Sequence, residues 1–127
     1  MKVGITATQE GLTVMQHKRL HMLLHHLKVI ELRHGDCIGG DSQAHDIAEN
    51  MKLRIVIHPP INSNKRAFRE GIILPEKEYL SRNKDIVNAV DYMIALPKER
   101  EEVLRSGTWS TIRYAKKINK PLYIIYP

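Results

Sequence analysis

The sequence contains one cysteine, one tryptophan and one phenylalanine among its 127 residues. A lone cysteine, Cys37, cannot form an internal disulfide, which excludes a disulfide-held scaffold and is typical of a protein of the reducing cytoplasm. No apolar run approaches the roughly 20 residues of a membrane-spanning helix. Small and polar residues, Gly4, Thr6 and Thr8, interrupt the amino-terminal run where the apolar part of a signal peptide would lie. We therefore expect a cytoplasmic protein with no membrane partner.

The remaining composition is that of an ordinary globular domain. Hydrophobic residues make up 43% of the chain and charged residues 27%, so we expect one packed domain over residues 1–127. The formal net charge of +6 favours anionic partners such as phosphates, nucleotides or nucleic acid. Because the basic residues form no long block and the aromatic residues no cluster, a nucleotide-like small molecule is favoured over nucleic acid.

Short apolar runs alternate with segments of helical periodicity along the chain. The pattern predicts strands at 2–6, 29–34, 54–58, 92–96 and 122–126, and helices at 13–28, 41–51, 76–89 and 108–117. Residues 61–75 are mostly polar and basic, which indicates a long loop over one end of the sheet. The alternation predicts an α/β fold: a doubly wound, five-stranded, mainly parallel and Rossmann-like sheet with strand order 3-2-1-4-5.

Two loops rich in small residues join strands to helices in this scheme. The loop 35–41 follows strand 2, and the loop 105–111 opens the last helix. In such a sheet the ligand lies at the carboxyl ends of strands 1 and 4, where the winding reverses. Amides at the start of a helix lack intrahelical partners and can bind phosphate. Either loop is also compatible with an ordinary turn or helix cap, with Asp41 capping the second helix, so the spacing alone leaves both interpretations open.

Three loop carboxylates are the candidates for acid–base catalysis, namely Glu10, Asp36 and Asp41. A hydrolase of glycosidic bonds would need one of them over the sugar of its substrate. Loop carboxylates more often cap helices or face solvent, so the sequence leaves it open whether the chain is an enzyme.

Cysteine and histidine give weaker signals. Cys37 lies near a helix start, which can activate a thiol, but a small loop residue is the better interpretation. His17, His21 and His25 share one helical stripe on which neighbouring pairs are spaced for a metal ion. Because no matching further ligand is evident, we predict neither a metal site nor a cofactor.

Three fragments in the same order carry a family resemblance. Residues 35–45 are similar to the pattern G-x-x-R-G-x-D-x-x-A-H, with Ile38 in place of the arginine. Residues 82–86 are similar to R-N-R-x-I, with Asp91 following, and residues 106–111 are similar to S-G-[ST]-x-x-T. These are patterns of the DNA-processing protein A family, so most of the chain resembles the SLOG superfamily of Rossmann-like proteins.

The Lonely Guy phosphoribohydrolases of the same superfamily carry P-G-G-x-G-T-x-x-E. Gly107 and Thr108 fit this pattern, but Thr111 stands in place of the catalytic glutamate, and residues 98–105 are inserted after Pro97. The resemblance implies a nucleotide-binding pocket and a homo-oligomer. Three functions follow: a sensor or sequestering module for a nucleotide-derived ligand, a nucleotide N-glycosidase, and, ranked last, a single-stranded nucleic-acid binder.

The loops and the motif matches together define a predicted ligand site. Backbone amides at the two glycine loops would hold phosphate, hydroxyl groups would donate to it, and an Arg-Asn pair would close one wall. Lys65, Arg66 or Arg69 would reach in from the long loop. The predicted ligand-binding residues are Thr6, Thr8, Gly35, Gly39, Gly40, Asp41, His45, Arg82, Asn83, Ser106, Gly107, Thr108 and Thr111.

Overall fold

A computed structural model describes residues 1–127 as six strands and four helices. In chain order they are β1 (Lys2–Ala7), α1 (Val14–His26), β2 (Glu31–His34), α2 (Gly40–Asn50), β3 (Arg54–Ile57), β4 (Ile72–Ile73), α3 (Tyr79–Ala89), β5 (Tyr92–Leu96), α4 (Gly107–Lys117) and β6 (Leu122–Ile124). None of the four helices has both the length and the apolar character that crossing a membrane requires.

The strands form one sheet in the order β4-β3-β2-β1-β5-β6, and every neighbouring pair is parallel. This confirms the predicted α/β class, and the five predicted strands lie in the predicted order. β1 and β5 are adjacent at the centre of the sheet, so the loops after them meet at one edge.

The segment predicted as a loop, 61–75, contributes a sixth strand at the edge of the sheet. Ile72 and Ile73 pair with Val56 and Ile57 of β3. The helix α3 begins at Tyr79, three residues later than the predicted start at 76. Lys77 is instead engaged in backbone bonds, donating to the Pro59 carbonyl at 3.2 Å and accepting from the Ile61 amide at 3.0 Å.

Local signals fix α1 as the sequence predicts. Thr13 accepts from the amide of Gln16 at 3.0 Å, and the Gln16 side chain accepts from the amide of Thr13 at 3.0 Å, which forms a capping box. The buried Gln16 amide group also donates to the carbonyls of Pro97 at 2.8 Å and Ile125 at 2.9 Å. One side chain therefore joins the amino end of α1 to the ends of β5 and β6.

Helices cover both faces of the sheet, as expected for a doubly wound fold. The larger core lies between one face of the sheet and the helices α1 and α2. There Leu20, Leu24 and Ala48 of the helices pack against Ile5 and Leu32 of the strands. On the other face, side chains of α3 and α4 pack against β5 in two smaller clusters. The loops that follow β1 and β5 lie at the carboxyl edge of the sheet, where a doubly wound fold binds its ligand.

Candidate ligand-binding site

The amino end of α4 presents free backbone amides. Ser106 caps the helix, and its hydroxyl accepts from the amide of Trp109 at 3.3 Å. The amides of Gly107 and Thr108 donate to no acceptor within the protein. This pair, at the positive end of the helix dipole, favours an anion. Thr111 was predicted to bind the ligand, but it does not line the space in front of these amides. Its hydroxyl donates instead to the carbonyl of Gly107 at 3.0 Å.

A cleft of about 500 Å³ opens in front of these amides. Its walls are the loop after β1, residues 98–99 and 105–108, and the single residues Lys65 and Tyr79. Lys65 and Arg105 are exposed and form no ion pair within the protein. Two unpaired cations beside two unpaired amides make this part of the cleft suitable for a phosphate group.

The carboxylates of the cleft are already engaged. Glu10 forms an ion pair with Lys98 at 2.5 Å, and both side chains are more than half exposed. Glu99 accepts from the indole nitrogen of Trp109 at 3.0 Å. Of the three predicted catalytic carboxylates, Glu10 is therefore the one that reaches the open cleft.

In the first glycine loop, 35–41, most backbone amides are engaged within the protein, and only those of Gly39 and Asp41 have no acceptor. Each amide of residues 35–38 has an acceptor within the protein, and the Gly40 amide donates to the carbonyl of Thr8 at 2.8 Å. The N-cap of α2 is Gly39, at a φ of +82°, rather than the predicted Asp41. A β-carbon at Gly39 would collide with the carbonyl of Gln9, so glycine is required here for close packing of two loops.

Asp41 holds the first loop in shape. One oxygen of its buried carboxylate accepts from the amides of Gly35 and Cys37, both at 3.2 Å, and the other oxygen has no partner. Burial raises the pKa of this carboxyl to about 6, against the opposing effect of Arg82. Asp41 faces a cavity of only about 20 Å³, which is lined by residues of both glycine loops.

Arg82 is a buried structural residue rather than a wall of the open cleft. Its guanidinium donates to the carbonyls of Gly35 and, at 3.0 Å, His58, and to the Asn83 side chain at 2.8 Å. Arg82 thereby ties α3 to the ends of β2 and β3. Its charge is neutralised in part by the nearby Asp41.

Tyr79 lines the candidate site and is absent from the residues predicted from the sequence. Its ring lines both the open cleft and the small cavity, and its hydroxyl lies so close to Gly107 that a β-carbon there would collide with it. The Arg82 guanidinium lies 5.0 Å from the ring centre. The two glycine loops, which we expected to share one hollow, share only the small cavity, and Tyr79 lies between that cavity and the open cleft. No local sequence pattern predicts that a tyrosine at the start of a helix will lie between two cavities.

His45 lies behind the loop and contacts no open cavity. Its ring nitrogen lies 2.9 Å from that of His34, and both rings are fully buried. The other nitrogen of His34 accepts from the amide of Asp36 at 2.9 Å, so His34 donates and His45 accepts. Burial, with the charge of His45 as a smaller cause, lowers the pKa of His34 to about 3. The pair fills the core beneath α2, so His45, a predicted ligand-binding residue, lines neither the open cleft nor the small cavity.

Asp36 anchors the long loop. The fully buried carboxylate accepts from the guanidinium of Arg66 and the amide of Arg69, each at 2.9 Å. The Arg69 side chain turns to Asp46, with 2.6 Å between nitrogen and oxygen. Of the three basic residues expected to reach the ligand from this loop, Lys65 alone lines the cleft.

The predicted residues therefore divide into three groups. Those that line the open cleft are Thr8, Ser106, Gly107 and Thr108. Those that line the small cavity are Thr6, Gly35, Asp41, Arg82, Asn83 and again Thr108. Those that line neither are Gly39, Gly40, His45 and Thr111.

Two solved structures have the same fold. The molybdenum cofactor binding protein from the phototrophic bacterium Rippkaea orientalis superposes with a TM-score of 0.76 at 20% identity, covering 99% of this chain and 76% of that one. The chain shares its fold. The structural-genomics target TM1055 superposes with a TM-score of 0.68 at 14% identity, covering 95% and 71% of the two chains. No protein-family model and no curated protein matches the sequence.

Proposed function

We propose that the chain is a SLOG-like module that binds a phosphorylated, nucleotide-like small molecule at the amino end of α4. The observation that carries this proposal is the pair of unpaired amides at Gly107 and Thr108, which faces the cleft beside the free cations Lys65 and Arg105. The Rippkaea protein, whose name states that it binds the molybdenum cofactor, supports a small-molecule ligand on this fold.

Binding is the proposed activity, rather than hydrolysis of the ligand. Two of the three candidate carboxylates, Asp36 and Asp41, hold loops together and lie outside the open cleft. The third, Glu10, is paired with Lys98. A sensor or sequestering role for a nucleotide-derived ligand needs none of them as an acid or base.

Isothermal calorimetry with AMP, ADP-ribose and adenosine tests the proposal. We expect the phosphorylated compounds to bind and adenosine to bind at least about tenfold more weakly, because charge-assisted bonds to phosphate contribute about 1.5–3 kcal/mol each. The variant Arg105→Gln should weaken AMP binding roughly five- to tenfold. Its control, Lys117→Gln, removes the same charge at the other end of α4 and should leave the affinity unchanged.

The outcomes separate the alternatives. Equal affinity for AMP and adenosine, or equal effects of the two charge substitutions, would contradict a phosphate site in this cleft. Release of free base from AMP during the titration would instead favour the N-glycosidase, with Glu10 as the residue to substitute next.

A further inference from the structure

A second chamber adjoins the cleft. It has a volume of about 570 Å³ and lies between the long loop and the first glycine loop. Gln9, Lys65 and Tyr79 line both spaces, so the chamber and the cleft are neighbours on either side of these residues. Side by side, the two spaces extend from the amino end of α4 to Cys37 and Ile61.

The wall of the second chamber is held in place by backbone hydrogen bonds. The amide of Ile38 donates to the carbonyl of Lys65 at 2.9 Å, and the amide of Ile61 donates to the carbonyl of Lys77 at 3.0 Å. The segment 61–65 is therefore fixed at both ends. A preformed wall lowers the entropic cost of binding a ligand against it.

The side chains of this chamber suit a flat, nitrogen-containing ring. Pro60, Ile61 and the Tyr79 ring offer apolar surface. The side-chain amides of Gln9 and Asn64 also line the chamber, and neither makes a hydrogen bond within the protein. Apolar walls with a few free donors and acceptors are typical of pockets that orient heterocycles.

We propose that one ligand occupies both spaces, with its phosphate before Gly107 and Thr108 and a planar nitrogen heterocycle in the second chamber. This inference rests on the proposed function and names its substrate class: a heterocycle joined to a phosphate through a short linker, such as a sugar. Lys65, at the junction, contacts the linker or the phosphate.

Calorimetry with AMP, GMP and ribose 5-phosphate tests this arrangement. At least one nucleotide should bind about tenfold or more tightly than ribose 5-phosphate, because a buried base adds contacts that the sugar phosphate lacks. The double variant Ile61→Ser, Asn64→Ala should remove most of this difference and leave the affinity for ribose 5-phosphate unchanged. Both side chains are exposed, so we expect the fold to persist.

The matched control is Ile30→Ser, which changes an equally exposed isoleucine at the opposite end of the strands. It should change neither affinity. Equal binding of nucleotides and ribose 5-phosphate overturns the two-chamber proposal but leaves the phosphate site intact. Absence of binding by all three compounds counts against both, and a loss of ribose 5-phosphate binding in the double variant also contradicts the assignment of its side chains to the heterocycle.

Discussion

At the scale of single residues, the contact between Tyr79 and Gly107 decides the shape of the site. From its sequence context Gly107 was predicted to hold phosphate through its backbone amide, whereas in the structure its α-carbon faces the Tyr79 hydroxyl. The two roles are compatible because the Gly107 amide still has no acceptor. The spacing of motifs could not predict this contact, because Tyr79 lies on α3 and is distant from Gly107 in the sequence.

Substituting Gly107 should reveal this contact. We expect Gly107→Ala to destabilise the fold by about 1–3 kcal/mol, as overpacking does, although alanine is the better helix former. In a Tyr79→Ala background the same substitution should cost much less. Urea unfolding of the four proteins measures the coupling, and a cost of Gly107→Ala that is equal in both backgrounds would contradict the contact.

The buried carboxyl of Asp41 should make stability depend on pH. Its pKa of about 6 lies above its ordinary value of 3.8, so the folded state binds a proton more tightly, and this group's contribution to stability falls as pH rises from about 4 to about 6. Relative to the wild type, Asp41→Asn should therefore gain up to about 3 kcal/mol over that range, at about 1.4 kcal/mol per pKa unit.

The buried histidines act in the opposite direction and must be separated from Asp41. Because the pKa of His34 is lowered to about 3, its contribution is lost as pH falls from about 6.5 towards 3. This loss is common to the wild type and Asp41→Asn. The difference between their unfolding free energies therefore isolates Asp41, and a difference that does not vary with pH would show that Asp41 has an ordinary pKa.

At the scale of elements, the long segment between β3 and α3 departs most from the prediction. Its composition predicted a loop over one end of the sheet, whereas Ile72 and Ile73 form a strand at the edge of the sheet. The segment is held in a defined conformation by contacts with residues distant in sequence. Asp36 binds Arg66 and Arg69, and β4 pairs with β3. Helices with strong local signals, such as the capped α1, were predicted well because their cause is local.

Breaking the anchor of this segment should loosen it selectively. Asp36→Asn removes the charge opposite Arg66 and keeps an acceptor for the Arg69 amide, so the fold should persist with a loss of about 1–3 kcal/mol. Hydrogen exchange of residues 61–71 should accelerate. The control Asp46→Asn, at an exposed partner of Arg69, should have little effect, and equal exchange in both variants would contradict the anchoring role of Asp36.

At the scale of the whole molecule, the alternation of strands and helices was enough to predict the sheet and the order of five of its six strands. This alternation constrains a parallel sheet strongly, since each crossover helix must cover a face. The site was predicted only in part. The location at the carboxyl ends of the central strands follows from topology, but which amides remain free depends on packing between loops, as the Gly40–Thr8 bond shows. Self-association stays a prediction.

The amides of Gly107 and Thr108 can be observed one by one. Titration of isotope-labelled protein with inorganic phosphate, with chloride at matched ionic strength as the reference, follows each backbone amide by NMR. The account predicts saturable shifts that are largest at Gly107 and Thr108, with small shifts at Gly35 and Gly40, whose amides already have acceptors. Largest shifts at the first glycine loop, or no saturable shift at α4, would contradict it.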